Sequence, residues 1–234
     1  MDKETQKTYR VLGKLIKRLT KLTYDLQGDI YTNCVFSEDK DQDARVALMG
    51  FIRGELIATY FQYLNLLNLN IEPVKKLDYL RITLGEVSVP DDGMINLLTS
   101  HLRRNFTTNI YSHLESGNRK FYQGGSFNNY KSRFDSTLVN GFEILRHLRN
   151  SMHNNGLFLP FDKKDFIFTY RGYEVEYTYG NFITTNYMFI YWIISDSLRL
   201  FKEMALDNLK SNPSFVPIIQ DYNIKKYFNK ENVL

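Results

Sequence analysis

Leu12, Leu15, Leu19, Leu22 and Leu26 recur at alternating spacings of three and four, a heptad-like seam along one long helix over residues 3–32. Such a stripe needs a surface to cover it. The other faces carry Lys14, Lys17, Arg18 and Lys21. Two heptads are too few for a free coiled coil, so the stripe is expected to pack on its own domain. A dimer seam, or a basic face for nucleic acid, is the alternative.

The segments that follow keep the helical period. A polar break over residues 33–42 offers Ser37 or Asp39 as the cap of a second helix. That helix, ARVALMGFIRGELIATYFQYLNLLNL, is apolar on most faces and is expected to be central. Pro73 opens VKKLDYLRITLGEV as another helix, and Pro90 with Asp91 and Asp92 opens the next, through INLLTSHLRRNFTTNIYSHL. Residues 116–129, SGNRKFYQGGSFNN, read as the clearest loop. A helix over residues 130–154 ends at Asn154, Asn155 and Gly156, which are suited to a C-cap.

Residues 166–179 alternate Phe166, Phe168, Tyr170 and then Tyr173, Val175, Tyr177 around Arg171-Gly172, the pattern of a β-hairpin with one aromatic face. The last helix is expected over residues 185–210, starting at Thr184 or Thr185 and stopping before Pro213. A chain of 234 residues can bury all of this in one core. The fold expected is mainly α: a helical bundle over residues 1–234 with a long N-terminal helix and a small β-hairpin insertion.

A formal charge of +4 permits an anionic partner without demanding one. Cys34 is the one cysteine, so no intramolecular disulfide can form, which suits a reducing compartment. The N-terminus lacks the apolar core of a signal peptide. The longest apolar run, YMFIYWII at residues 187–194, is too short to span a bilayer. A soluble, cytoplasmic protein with no membrane partner is therefore expected.

Chemistry concentrates in RHLRNSMHNNG, residues 146–156. At 3.6 residues per turn, Leu138, Gly141, Ile144, Leu145, Leu148 and Met152 share the core face. Arg146, Arg149, Asn150 and His153 form one polar stripe beside it, while Glu143 and His147 fall on the more exposed flank. Guanidinium groups bind phosphate through a fixed fork of donors, and an imidazole moves protons near neutral pH. RNA carries its own nucleophile, the 2′-hydroxyl, so these groups suffice without a metal or cofactor. One imidazole cannot easily serve both proton transfers, but two copies facing across a symmetric dimer can. The plain alternative is a basic helix end whose side chains cap the last carbonyls.

The segment ILRHLRNSMHNN, residues 144–155, resembles the signature of the HEPN superfamily of helical nucleotide-binding domains. That motif is an arginine, commonly followed by Asn, Asp or His, and then a histidine after four to six intervening residues. Arg146 and His153 have six residues between them, and His147 follows Arg146. Arg149-Asn150 supplies the more typical dipeptide but stands three residues short of His153. The resemblance implies an all-helical, often dimeric protein, and a metal-independent endoribonuclease of toxin–antitoxin or phage-defence type, with RNA and an antitoxin protein as partners. It implies proton transfer for His153, phosphate binding for Arg146 or Arg149, and an orienting role for Asn150. A non-catalytic dimerisation, nucleotide-binding or protein-interaction module is the other outcome it allows. HLRRNFTTN at residues 101–109 repeats Arg104-Asn105 with no histidine at the allowed spacing, and reads as a solvated face.

Arg119, Lys120 and Tyr122, beside Phe121, set cation next to aromatic, a combination that stacks on single-stranded RNA bases. An ordinary loop edge with its aromatics tucked under is the competing reading. His101, His113, His147 and His153 show no close metal-ligand spacing, and Gly124-Gly125 lacks the frame of a phosphate loop.

Overall fold

The structure is a computed structural model and describes residues 3–36, 40–71, 91–121 and 131–211. Its α-helices are α1 (Lys3–Asn33), α2 (Ala44–Ile71), α3 (Asp91–Phe121), α4 (Ser136–His153) and α5 (Tyr187–Ser211). Strands β1 (Phe166–Tyr170) and β2 (Tyr173–Tyr177) pair antiparallel between α4 and α5. The protein is mainly helical, with one small hairpin. None of the described helices is long and apolar enough to cross a membrane. The helix expected after Pro73 lies outside the described residues.

The leucine stripe of α1 is covered within the chain. Leu12, Leu15, Leu19 and Leu26 are buried and Leu22 is half-buried, with Ile16 and Ile30 extending the stripe. Helices α2 and α5 supply the cover. The central element is α5 rather than α2. Ile193, Ile194, Leu198, Leu200, Phe201, Met204 and Ala205 of α5 are all buried, and the helix touches α1, α3 and α4. Helix α2 buries Met49, Ile52 and Leu56 but leaves Phe51, Ile57 and Phe61 exposed. Its all-round apolarity is therefore not matched by all-round packing among the described residues.

Besides the helix expected over residues 130–154, which begins only at Ser136 after a short 3-10 turn over Lys131–Arg133, three helix ends differ from the sequence expectation. Ser37 and Asp39 lie outside the described residues, and α2 is capped by Asp43. The Asp43 carboxylate accepts from the Arg45 backbone N–H at 2.8 Å and from the Arg45 guanidinium at 2.7 and 2.8 Å. Both side chains are buried, so the pair's charges are compensated where water cannot reach. Asn186, not Thr184 or Thr185, caps α5, its side-chain oxygen accepting from the Phe189 N–H at 2.9 Å.

Residues 116–121 are the third difference: they continue α3 instead of forming a loop. Gly117 and Asn118 are buried there. A Cβ on Gly117 would stand 2.4 Å from the Phe201 ring, so this glycine serves close helix–helix approach rather than a turn. Phe121 is buried against Phe201, with ring centroids 5.0 Å apart.

At the hairpin, Arg171 (φ 52°) and Gly172 (φ 79°) both take positive φ, the two-residue turn that matches the twist of paired strands. Phe166 faces Tyr177, Phe168 faces Val175, and Tyr170 faces Tyr173. A clamp holds this hairpin to α5. The buried Asp196 carboxylate accepts from the Tyr170 hydroxyl at 2.7 Å and from Arg171 Nε and Nη2 at 2.9 and 2.7 Å. Gly141 of α4 makes room beneath it, since a Cβ there would lie 3.0 Å from the Asp196 Cβ.

Candidate functional site

Asp135 starts α4 by accepting from the Thr137 and Leu138 backbone N–H groups at 2.8 and 3.2 Å. The helix stops where Asn155 (φ 56°) and Gly156 (φ 93°) turn left-handed and the Gly156 N–H returns to the Ser151 carbonyl at 2.8 Å. The chain then folds back. Phe158 N–H donates to the Asn181 carbonyl at 2.9 Å, Gly180 N–H to the Phe158 carbonyl at 2.9 Å, and Ile183 N–H to the Gly156 carbonyl at 3.0 Å. This short ladder holds residues 157–162 opposite the last two turns of α4.

Between them lies an open cleft of about 620 Å³. It is lined by Arg146, Arg149, Asn150 and His153 from α4, by His147 and Phe166 at its floor, and by Phe161 and Asp162 on the facing segment. The four residues of the polar stripe thus share one cavity wall. Arg119 does not line this cleft; it is exposed on α3 and pairs with Glu115 at 3.0 Å. The Lys120 side chain and Tyr122 lie outside the described residues.

The two arginines differ in their surroundings. Arg146 is compensated: its Nε donates to Glu143 at 2.8 Å and its Nη2 pairs with the same carboxylate at 2.6 Å. Arg149 has no carboxylate partner among the described residues. Its Nη1 donates to the Asn150 side-chain oxygen at 2.9 Å, its guanidinium lies 5.4 Å from the Tyr111 ring centroid, and its buried Nε meets no hydrogen-bond partner among the described residues. Binding the Asn150 oxygen leaves the Asn150 amide N–H₂ directed elsewhere as a donor. His153 is exposed at the cleft edge, with no hydrogen-bond partner among the described residues.

His147 overturns the expectation of an exposed flank. It is buried, with ring centroids of Phe166, Phe158 and Phe168 at 4.1, 5.4 and 5.8 Å. A helical wheel shows which way a side chain leaves its helix but not that a hairpin lands on it. Burial, reinforced by the Arg146 charge, pushes the imidazole down to about 4, so it is neutral at pH 7. Its Nε2 lies 3.2 Å from Arg146 Nη2. A guanidinium only donates, so Nε2 accepts and the ring proton sits on Nδ1. His147 therefore braces Arg146. Nearby, burial pushes the Tyr111 hydroxyl above its ordinary range, leaving a neutral aromatic face under Arg149.

Arginine, amide and imidazole on one wall can bind a phosphate and move a proton beside it. Among the described residues no cluster of three or more His, Cys, Asp or Glu side chains is arranged to hold a metal ion. Sequence reasoning missed the facing wall. Phe161 and Asp162 stand in a polar stretch, FDKKD, whose role depends on where the fold-back places it. Comparison with protein-family models, with curated proteins and with solved structures found no match to this chain.

Proposed function

We propose that this cleft binds the phosphodiester backbone of RNA and that the protein is a metal-independent endoribonuclease of HEPN type. The observation that carries the reading is Arg149, a cation with no carboxylate partner among the described residues, beside Asn150 and the exposed His153 in one cleft. Arg149 is the phosphate ligand of choice. Arg146, already held by Glu143 and His147, orients the wall and adds a second, partly compensated charge.

In the reaction, the 2′-oxygen bonds to the adjacent phosphorus as the bond from phosphorus to the 5′-oxygen breaks. His153 takes the 2′-hydroxyl proton, and Arg149 and the Asn150 amide stabilise the added negative charge. The departing 5′-oxygen receives a proton from a second, protonated imidazole. His147 is buried and neutral, so within one chain His153 is the imidazole at the cleft mouth. The second proton carrier is His153 of another copy, in a homodimer whose clefts face each other. The products are a 2′,3′-cyclic phosphate and a 5′-hydroxyl. A single buried cysteine suits action in a reducing cytoplasm.

The same compensation of Arg146 and His147 favours a second reading, a module that grips RNA or a nucleotide without cleaving it. The deciding experiment is cleavage of mixed RNA in EDTA by wild type, His153→Ala and Arg149→Ala, with solution mass recorded on the same samples. Cleavage by a wild-type dimer, lost in both variants, supports the enzyme. A folded dimer that binds RNA but leaves it intact supports the module. A folded monomer that neither binds nor cleaves removes both readings and leaves the stripe as a helix cap.

A further inference from the structure

Phe161 is fully exposed, with a relative accessibility of 104%, yet it lines the cleft that contains Arg149 and His153. Exposure alone assigns nothing, since Phe182 and Phe61 are also open to solvent. Phe161 differs from those two in lining the cleft that also holds Arg146, Arg149 and His153, and in the way its backbone is held. The Lys163 N–H donates to the Pro160 carbonyl at 3.1 Å, closing a turn with Phe161 and Asp162 at its tip. The ladder from Gly156 to Phe158 anchors the start of that segment, and the Asp165 carboxylate, accepting from the Tyr179 N–H at 2.7 Å, anchors its end. The ring adds nothing to the core. It stands on a tethered turn at the open cleft that also holds Arg149.

We infer that Phe161 is a stacking platform for one nucleobase, which makes single-stranded RNA rather than duplex the ligand of this cleft. This rests on the phosphate reading above. In single-stranded nucleic acid the base projects away from its phosphate, so a cationic wall with an aromatic ring facing it engages both ends of one nucleotide. In a duplex the base is stacked inside and cannot reach the ring. The neighbouring Asp162 carboxylate repels phosphate on this side of the cleft, so the backbone runs along the α4 wall and the base along the turn.

The test is the affinity of the full chain for a short single-stranded RNA carrying 2′-O-methyl groups, which cannot be cleaved by its own 2′-oxygen. Two comparison ligands are an abasic oligomer of equal charge and a duplex of the same sequence. Phe161→Ala is expected to weaken binding of the single strand by roughly 5- to 150-fold, as loss of one base–aromatic stack does. Phe161→Trp is expected to retain binding. The abasic oligomer should bind wild type and Phe161→Ala equally, and the duplex should bind more weakly than the single strand. Unchanged affinity in Phe161→Ala, with affinity lost in Arg149→Ala, would overturn the base platform and leave the phosphate site standing. No binding of any oligomer by the wild type would overturn both. A fall in solution mass in Phe161→Ala, with RNA affinity retained, would reassign the ring to a protein contact.

Discussion

His147 Nε2 accepts from Arg146 Nη2 at 3.2 Å, which ties a buried neutral imidazole to an arginine of the cleft. The contact exists only while the ring is unprotonated, because a protonated imidazole has no acceptor. Burial and the Arg146 charge together hold it in that form.

A pH dependence of stability follows, and its sign is fixed. The folded-state value of about 4 lies below the ordinary 6.5, so between these limits the unfolded chain binds the proton and the folded chain does not. His147 therefore contributes nothing to a loss of stability above pH 6.5, and destabilises the fold progressively as pH falls toward 4. The loss is about 3 kcal/mol for a shift of this size. Urea unfolding of wild type and His147→Gln at neutral and acid pH measures it. Glutamine keeps an acceptor and does not titrate, so the variant should show a flatter profile. Parallel profiles would mean that other groups carry the acid sensitivity.

At the hairpin clamp, the partner that is removed decides the cost. Arg171→Ala leaves the Asp196 carboxylate buried with only the Tyr170 hydroxyl, and is expected to cost about 3 kcal/mol. Tyr170→Phe removes one hydrogen bond to a charged acceptor and should cost about 1.5 kcal/mol. Denaturant midpoints of the two variants give the ordering. A smaller loss in Arg171→Ala than in Tyr170→Phe would show that water reaches Asp196 once the guanidinium is gone.

Gly117→Ala tests the close approach of α3 and α5. Helix propensity alone predicts a gain of up to about 1 kcal/mol. The added carbon meets the Phe201 ring at 2.4 Å and Leu48 Cδ1 at 3.0 Å, and overpacking of this kind costs about 1–3 kcal/mol. The net expectation is a lowered melting temperature. A raised one would mean that Phe201 can turn aside.

His153→Ala separates chemistry from folding. The side chain is exposed and buries no partner, so stability should change by less than about 0.5 kcal/mol. RNA cleavage, if His153 moves the proton, should fall by about 100-fold or more. Cleavage rates and melting temperatures on the same preparation provide both numbers. Full cleavage by a stable variant would remove His153 from the reaction.

The sequence by itself determined the elements whose signals are periodic. The leucine spacing of α1, the alternating aromatics of the hairpin, the Arg171-Gly172 turn and the Asn-Asn-Gly stop of α4 all appear where local pattern places them. The polar stripe of Arg146, Arg149, Asn150 and His153 was legible for the same reason, since helix geometry alone brings those four side chains to one side. Tertiary structure decided what stands against each face. Whether His147 meets water or three phenylalanine rings depends on where the hairpin lands, and Asp196 fixes that landing from the next helix. Arg146 is compensated by Glu143 one turn earlier on its own helix, whereas Arg149 meets no carboxylate among the described residues and instead lies beside the Tyr111 ring of α3. Gly117 looked like a loop residue because a glycine permits both a turn and a close approach, and only the position of Phe201 tells them apart. Phe161 carried no local signal at all: a lone aromatic in a polar segment acquires meaning when a backbone ladder brings its turn to a cleft shared with Arg149. Periodicity is a property of one segment, whereas burial is a property of pairs distant in the chain.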